Sequence, residues 1–170
     1  MPPELEDDHV VAICRVLAEH RVQYLIIGGA AARLHGTGHV TVDIDICPER
    51  SEDNLTRLAD ALNALGTRLR IEGGPEGVEF PAHRDLLRQM TALTLLTRHG
   101  PLDLCFVPAG FAQGYEQMVE HSVLIALAGT ELPVAALEDV VTSKRAAGRP
   151  KDIIGLPALE AHLRRRPPPD

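Results

Sequence analysis

The chain has 170 residues, 45% of them hydrophobic, which fits one domain of ordinary size with a real core. Seventeen basic against 24 acidic side chains leave a net charge of −7, so the surface as a whole is not built to attract nucleic acid and any polyanion needs a local patch. Aromatics are only 3% and Trp is absent, which leaves few faces on which exposed bases could stack and speaks against sequence-specific reading of single strands.

Along the chain, the acidic pair Asp7-Asp8 precedes Val10, Ile13, Val16 and Leu17 at helical spacing, and an amphipathic helix is expected from Val10 to Glu19. Tyr24 to Ile27 is a short apolar run that stops at Gly28-Gly29, and Ala30 to Leu34 has strong helix propensity up to Gly36, so the expectation is strand, tight turn, helix. From Val40 to Cys47 the chain alternates Val40, Val42, Ile44 and Ile46 with Thr41, Asp43, Asp45 and Cys47. That is the period of a strand with two distinct faces, both carboxylates on one of them. Ser51 is a good N-cap for a helix with the stripe Leu55, Leu58, Ala59, Leu62 and Leu65, ended by Gly66. Short strands are expected at Leu69–Ile71 and Val78–Phe80 around a Gly73–Gly77 loop. Two further β-like runs, Met90–Arg98 and Leu102–Val107, join through His99-Gly100-Pro101. Phe111 to Val119 reads as a short helix, and Val123–Ala128 with Leu132–Val134 as a strand pair around Gly129. A helix follows from Ala135 to Ala147, closed by Gly148. Pro150 opens another, which Pro157 is expected to interrupt. One domain is expected over residues 1–163, with 164–170, Arg-rich then Pro-rich, as a frayed tail.

The acidic start and the lack of any apolar run near the roughly 20 residues that span a bilayer point to a cytoplasmic protein with no membrane contact. Three widely spaced Cys, without a CxxC pair, indicate neither a disulfide framework nor a zinc cluster, and the eight His show no metal-ligand spacing.

Three groups of residues carry chemistry. Asp is disfavoured in strand interiors, so Asp43 and Asp45 among Val42, Ile44 and Ile46 need neutralising, and a hard divalent cation with oxygen ligands does that. Asp103 is a third carboxylate on an apolar run, and beside the first two it would hold the catalytic ion and take the proton of an attacking hydroxyl. The turn Gly28-Gly29 leads into a helix, where backbone N–H groups and the helix dipole attract phosphate. It is neither a Walker loop, since no Lys-Ser/Thr follows, nor a Rossmann turn, since Ala30 stands at the second glycine. Of 17 basic residues only Lys144 and Lys151 are lysine, both in one late segment with Arg145 and Arg149. They form a local basic patch suited to phosphate, and Asp152 could orient one of its cations.

These residues resemble the nucleotidyltransferases of the DNA polymerase β superfamily, in particular their minimal, toxin-antitoxin or abortive-infection branch. The resemblance is carried by Ile27-Gly28-Gly29-Ala30, by Asp43-Ile44-Asp45, by Leu102-Asp103-Leu104, and by the late stretch Leu137–Asp152. It implies a single α/β (α+β) domain, a nucleotidyltransferase-like mixed sheet flanked by helices, that moves an NMP from an NTP to a hydroxyl of a protein or RNA acceptor. It further implies two Mg²⁺, replaceable by Mn²⁺, on Asp43, Asp45 and Asp103, the triphosphate on Gly28, Gly29, Lys144, Arg149 and Lys151, and a cognate toxin or antitoxin chain as partner. Two departures stand out: Gly29 replaces the serine common in the superfamily, and the gap from Gly29 to Asp43 is long. Transfer to a small molecule such as an antibiotic, or a catalytically silent nucleotide-binding or interaction module of the same fold, are the alternatives.

Overall fold

The computed structural model describes residues 3–167. Helix α1 (Asp7–Glu19) buries Val10, Ile13 and Leu17 of the stripe that its spacing predicts, with Cys14 beside them and Val16 only partly buried. It is followed by β1 (Tyr24–Ile27), whose four residues are all buried, and by α2 (Gly28–Leu34), which begins on the two glycines themselves with no separate turn. The next strand, β2 (Ile44–Pro48), starts four residues later than the alternation from Val40 implies. The reason is the length of its partner: β1 pairs antiparallel with β2 from Tyr24↔Pro48 to Ile27↔Asp45 and then turns away at Gly28, so residues 40–43 have no strand to pair with there. Thr41 instead donates its hydroxyl to the backbone oxygen of Asp43, a local bond that competes with a ladder.

Helix α3 (Glu52–Ala64) is capped as expected, Ser51 Oγ accepting from the Asn54 amide, and buries Leu55, Leu58 and Leu62. The glycine-rich stretch after it is not a loop. β3 (Arg68–Ile71) and β4 (Gly74–Glu79) form a hairpin with an irregular register between Leu69 and Ile71. Gly77 permits it, since at φ +64° a side chain there would put its Cβ 2.5 Å from the Leu69 carbonyl oxygen. A short helix, α4 (Arg84–Gln89), was not legible from apolar spacing. Arg84 and Arg88 reach Glu52 of α3 and tie it down. β5 (Ala92–Thr97) and β6 (Gly100–Cys105) form the expected hairpin, with Gly100 and Pro101 inside β6. The expected helix at Phe111 shrinks to α5 (Tyr115–Met118) and a 3₁₀ turn.

β7 (Val123–Leu127) and β8 (Thr130–Val134) complete an eight-stranded sheet in the order β4-β3-β5-β6-β2-β1-β8-β7. It is mixed: β2 runs parallel to β6, and β1 parallel to β8. Helix α6 (Leu137–Ala147) ends at Gly148 in the left-handed region, and α7 (Pro150–Arg165) follows. Pro157 lies inside α7 without breaking it. The missing N–H leaves the carbonyl of Ile153 without a helical partner, on a residue exposed enough for water to serve. Arg164 and Arg165, expected in the frayed tail, are helical, and the last part of that tail, residues 168–170, lies outside the described residues. The end of α7 is tied back onto α2: Arg166 Nη2 donates to His35 Nδ1 at 2.9 Å, and His35 Nε2 bonds the Ala135 carbonyl at 2.8 Å.

The chain is therefore a single mixed α/β domain, a sheet flanked by helices, as the resemblance implies. Among the described residues no helix is long and apolar enough to cross a membrane. The core lies on both sides of the central strands. Ile44, Ile46, Leu102 and Leu104 are buried, and the alternation turns Asp45 and Asp103 to the opposite face. One buried amide holds the start of α3 to this centre. Asn54 accepts from the Gln23 amide at 2.8 Å and donates to the carbonyls of Gln23 and Glu49 at 2.9 and 2.7 Å. Asn54→Ala leaves these backbone groups without partners and is expected to cost about 3 kcal/mol in urea denaturation.

Candidate active site

All eight residues singled out from the sequence, Gly28, Gly29, Asp43, Asp45, Asp103, Lys144, Arg149 and Lys151, line one cleft of about 720 Å³. They come from four separate stretches of chain. The acids sit at the end of the central ladder, where β2 and β6 run parallel and place Asp45 directly beside Asp103. Asp43 precedes β2 rather than standing in it, and is steadied by the Thr41 hydroxyl, which donates to its Oδ1 at 3.2 Å.

Gly28 explains how Asp45 fits. It has φ +61°, and a Cβ on it would stand 2.7 Å from Asp45 Oδ2. A side chain would therefore meet both an unfavourable backbone and the carboxylate. Gly29 is crowded from the other side, its Cβ position being 3.1 Å from both His39 Nε2 and Thr41 Oγ1.

The charge arrangement is uneven. Burial, and then the negative Asp43 and Asp103, push Asp45 up to about 7, against the opposing pull of Lys151 and Lys144. Burial also raises Asp103 to about 6, with Arg70 pulling it down and Asp43 pushing it up. Arg70 Nη2 bonds both oxygens of Asp103, at 2.9 and 3.1 Å, and stands 3.7 Å from Asp43 Oδ2. Asp45 makes no ion pair among the described residues.

On the α6–α7 side the basic patch is organised by Asp152. Its buried carboxylate accepts from Arg149 Nε at 2.6 Å and faces Lys144 Nζ at 3.6 Å. Burial alone would raise Asp152. The Arg149 hydrogen bond and the charges of Arg149 and Lys144 win and hold it below the usual carboxylate range. Lys151 lines the cleft from the first turn of α7, and its charge reaches His39 and Asp45.

The sequence reading did not single out Arg70, His39 and Thr41. Thr41 carried a signal, a hydroxyl two residues before an Asp. Arg70 carried none, because only the β3–β5–β6 pairing brings it near Asp103. The donor set suits a hard cation: three carboxylates, oxygen only, one of them partly buried with no cation on it. Yet among the described residues no three acidic, His or Cys side chains stand as a ready metal cluster, Asp103 being turned onto Arg70.

No family model and no curated protein sequence matches the chain. Solved structures do. The lincosamide antibiotic adenylyltransferase LnuA, in its lincomycin-bound crystal structure, superposes with a TM-score of 0.62 at 12% identity, over 94% of this chain and 99% of that one. The chain has the nucleotidyltransferase fold. ANT(2'')-Ia in complex with adenylyl-2''-tobramycin superposes on it with a TM-score of 0.57 at 16% identity, covering 92% of this chain and 88% of the other. An antigenic nucleotidyltransferase-like protein from Paracoccidioides brasiliensis gives 0.53 at 17%, over 92% and 78%. In this chain the parallel β2–β6 pair is what puts Asp45 and Asp103 side by side.

Two outcomes follow from the geometry. A carboxylate whose pKa is raised on folding is neutral in the folded state and costs nothing at low pH, then loses stability as pH climbs from its ordinary range to its raised value. Asp45→Asn is therefore expected to raise the melting temperature of chelator-treated protein at pH 8 and to leave it nearly unchanged at pH 4. Gly28→Ala is expected to lower stability by about 2 kcal/mol or more at neutral pH, read by urea denaturation.

Proposed function

We propose that this protein is a metal-dependent nucleotidyltransferase that moves an NMP from an NTP to an acceptor hydroxyl. The observation that carries the reading is the meeting, in one cleft, of three acids on one wall with Lys144, Arg149 and Lys151 on another. Three carboxylates gathered at one cleft, with Asp45 lacking an ion-pair partner among the described residues, favour a site that uses a cation over a silent interaction module.

In this reading Asp43 and Asp45 hold Mg²⁺, or Mn²⁺ in its place, and Asp103 joins them for a second ion. Bound cations would supply charge neutralisation at the attacking and leaving oxygens. The chain's own residues do the rest. Asp103, once free of Arg70, would accept the proton of the acceptor hydroxyl. Gly28 and Gly29 present a bare backbone to the triphosphate, and Lys144, Arg149 and Lys151 oppose its charge. Asp152 fixes Lys144 and Arg149 so that they enter the cleft already oriented.

Two acceptor classes are consistent with the site. A small hydroxyl compound is supported by the cleft, whose volume is in the range of small-ligand sites, and by LnuA, an antibiotic adenylyltransferase that this chain matches almost end to end. A protein or RNA acceptor, in a toxin-antitoxin-like pair, is supported by Ile153 and Ile154, exposed at 57% and 81% two and three residues beyond Lys151, where a partner chain could pack.

The test is to incubate the protein with Mg²⁺ and α-labelled NTPs, in parallel with lincosamides, aminoglycosides and cell extract. Label is expected in an acceptor with release of pyrophosphate, and Asp43→Ala is expected to reduce the rate by about a thousandfold. No labelled acceptor, or an Asp43→Ala protein indistinguishable from wild type, sinks the reading. Lys144→Ala is expected to raise the KM for NTP by about tenfold to a hundredfold, the loss of one charge-assisted phosphate contact, as read by initial rates.

A further inference from the structure

Among the described residues Arg70 is the cation paired with the acids of the cleft, and it reaches them from an outer strand without itself lining the cleft. It lies on β3, at the irregularity between Leu69 and Ile71, and its side chain spans the width of β5 to reach β6. There it takes both oxygens of Asp103, at 2.9 and 3.1 Å, and stands 3.7 Å from Asp43. Its side chain is 29% exposed, and those of Asp103 and Asp43 are 23% and 24% exposed, so the contact is shielded more than a surface pair. Asp45 and Asp103 are neighbours in the β2–β6 register, yet Arg70 serves only Asp103 and Asp43. The wall is thus divided into an acid without a counter-ion and an acid with a resident one. One guanidinium nitrogen shared between both oxygens takes an acceptor site on each and offsets the charge of the carboxylate, so a divalent cation has to compete with it for Asp103.

Resting on the metal reading above, we propose that Arg70 is the resident counter-ion of Asp103 and competes there with the divalent cation. In the ligand-free protein Arg70 holds the third carboxylate out of the metal site, so a first ion is taken by Asp43 and Asp45. Asp103 joins only when the guanidinium leaves it. The triphosphate of an NTP is an anion to which that guanidinium can move. Arg70 is on this account a positioning residue, acting through Asp103.

Mn²⁺ binding, followed by the electron paramagnetic resonance signal of the free ion, tests this on wild type, Arg70→Gln and the double variant Arg70→Gln/Asp103→Asn, without nucleotide. Arg70→Gln is expected to bind Mn²⁺ roughly tenfold more tightly, the order of one lost charge-assisted contact, and the double variant to lose that gain. A damaged fold would weaken metal binding, so a gain is not produced by damage. Should Arg70→Gln fail to fold, Arg70→Lys takes its place, keeping the charge without the fork, with a smaller gain expected. Wild-type affinity in the Arg70 variant, while Asp45→Asn reduces binding, overturns the inference and leaves the metal reading standing. No Mn²⁺ bound by either wild type or the Arg70 variant overturns the metal reading and the inference with it.

Discussion

The structure depends on one costly juxtaposition: Asp45 and Asp103 side by side on adjacent parallel strands, with Asp43 close by. Like charges on neighbouring strands destabilise a sheet, and burial adds a desolvation cost to each. The flanking residues Ile44, Ile46, Leu102 and Leu104 are deep in the core, so the ladder cannot slip to relieve the acids without exposing them. Hydrophobic burial on one face thus holds electrostatic tension on the other. Such tension is a recurrent mark of sites that take up a cation or a proton.

The remaining features of the cleft can be understood as responses to that tension. Gly28 gives up its side chain so that Asp45 can lie against the backbone. Thr41 steadies Asp43, and Arg70 reaches over from an outer strand to Asp103. The basic residues are kept on the far wall by a separate carboxylate, Asp152, so they do not collapse onto the catalytic candidates. The acids Asp43, Asp45 and Asp103 thus face the cleft apart from Lys144 and Arg149, which are held by Asp152.

Much of this could be read from residues alone, and the parts that could not share a cause. Strands β1, β7 and β8, the capped helix α3 and the α6–α7 pair follow from local signals: apolar runs, Ser51 as cap, Gly148 and Pro150 as punctuation. The gathering of glycines, three acids and late lysines was also legible, because each group is anomalous in its own segment. The late start of β2 was not, since it depends on where β1 runs out. The β3–β4 pair was legible as two short strands, but not the reach of β4 back to Gly74, where an edge strand tolerates Gly and Pro that a central strand would refuse. Arg70 escaped for the same reason, its meaning being set by strand order. Local chemistry is written in the chain, and cross-sheet chemistry is written in the topology.

The tie between Arg166 and His35 has a structural consequence. Because the last turn of α7 is fastened to the helix that begins on Gly28, the C-terminal end of the described chain is not a passive extremity. A change that unseats Arg166 takes a hydrogen-bond partner from the ring of His35, the residue that closes the helix opening on Gly28 and that also bonds the Ala135 carbonyl.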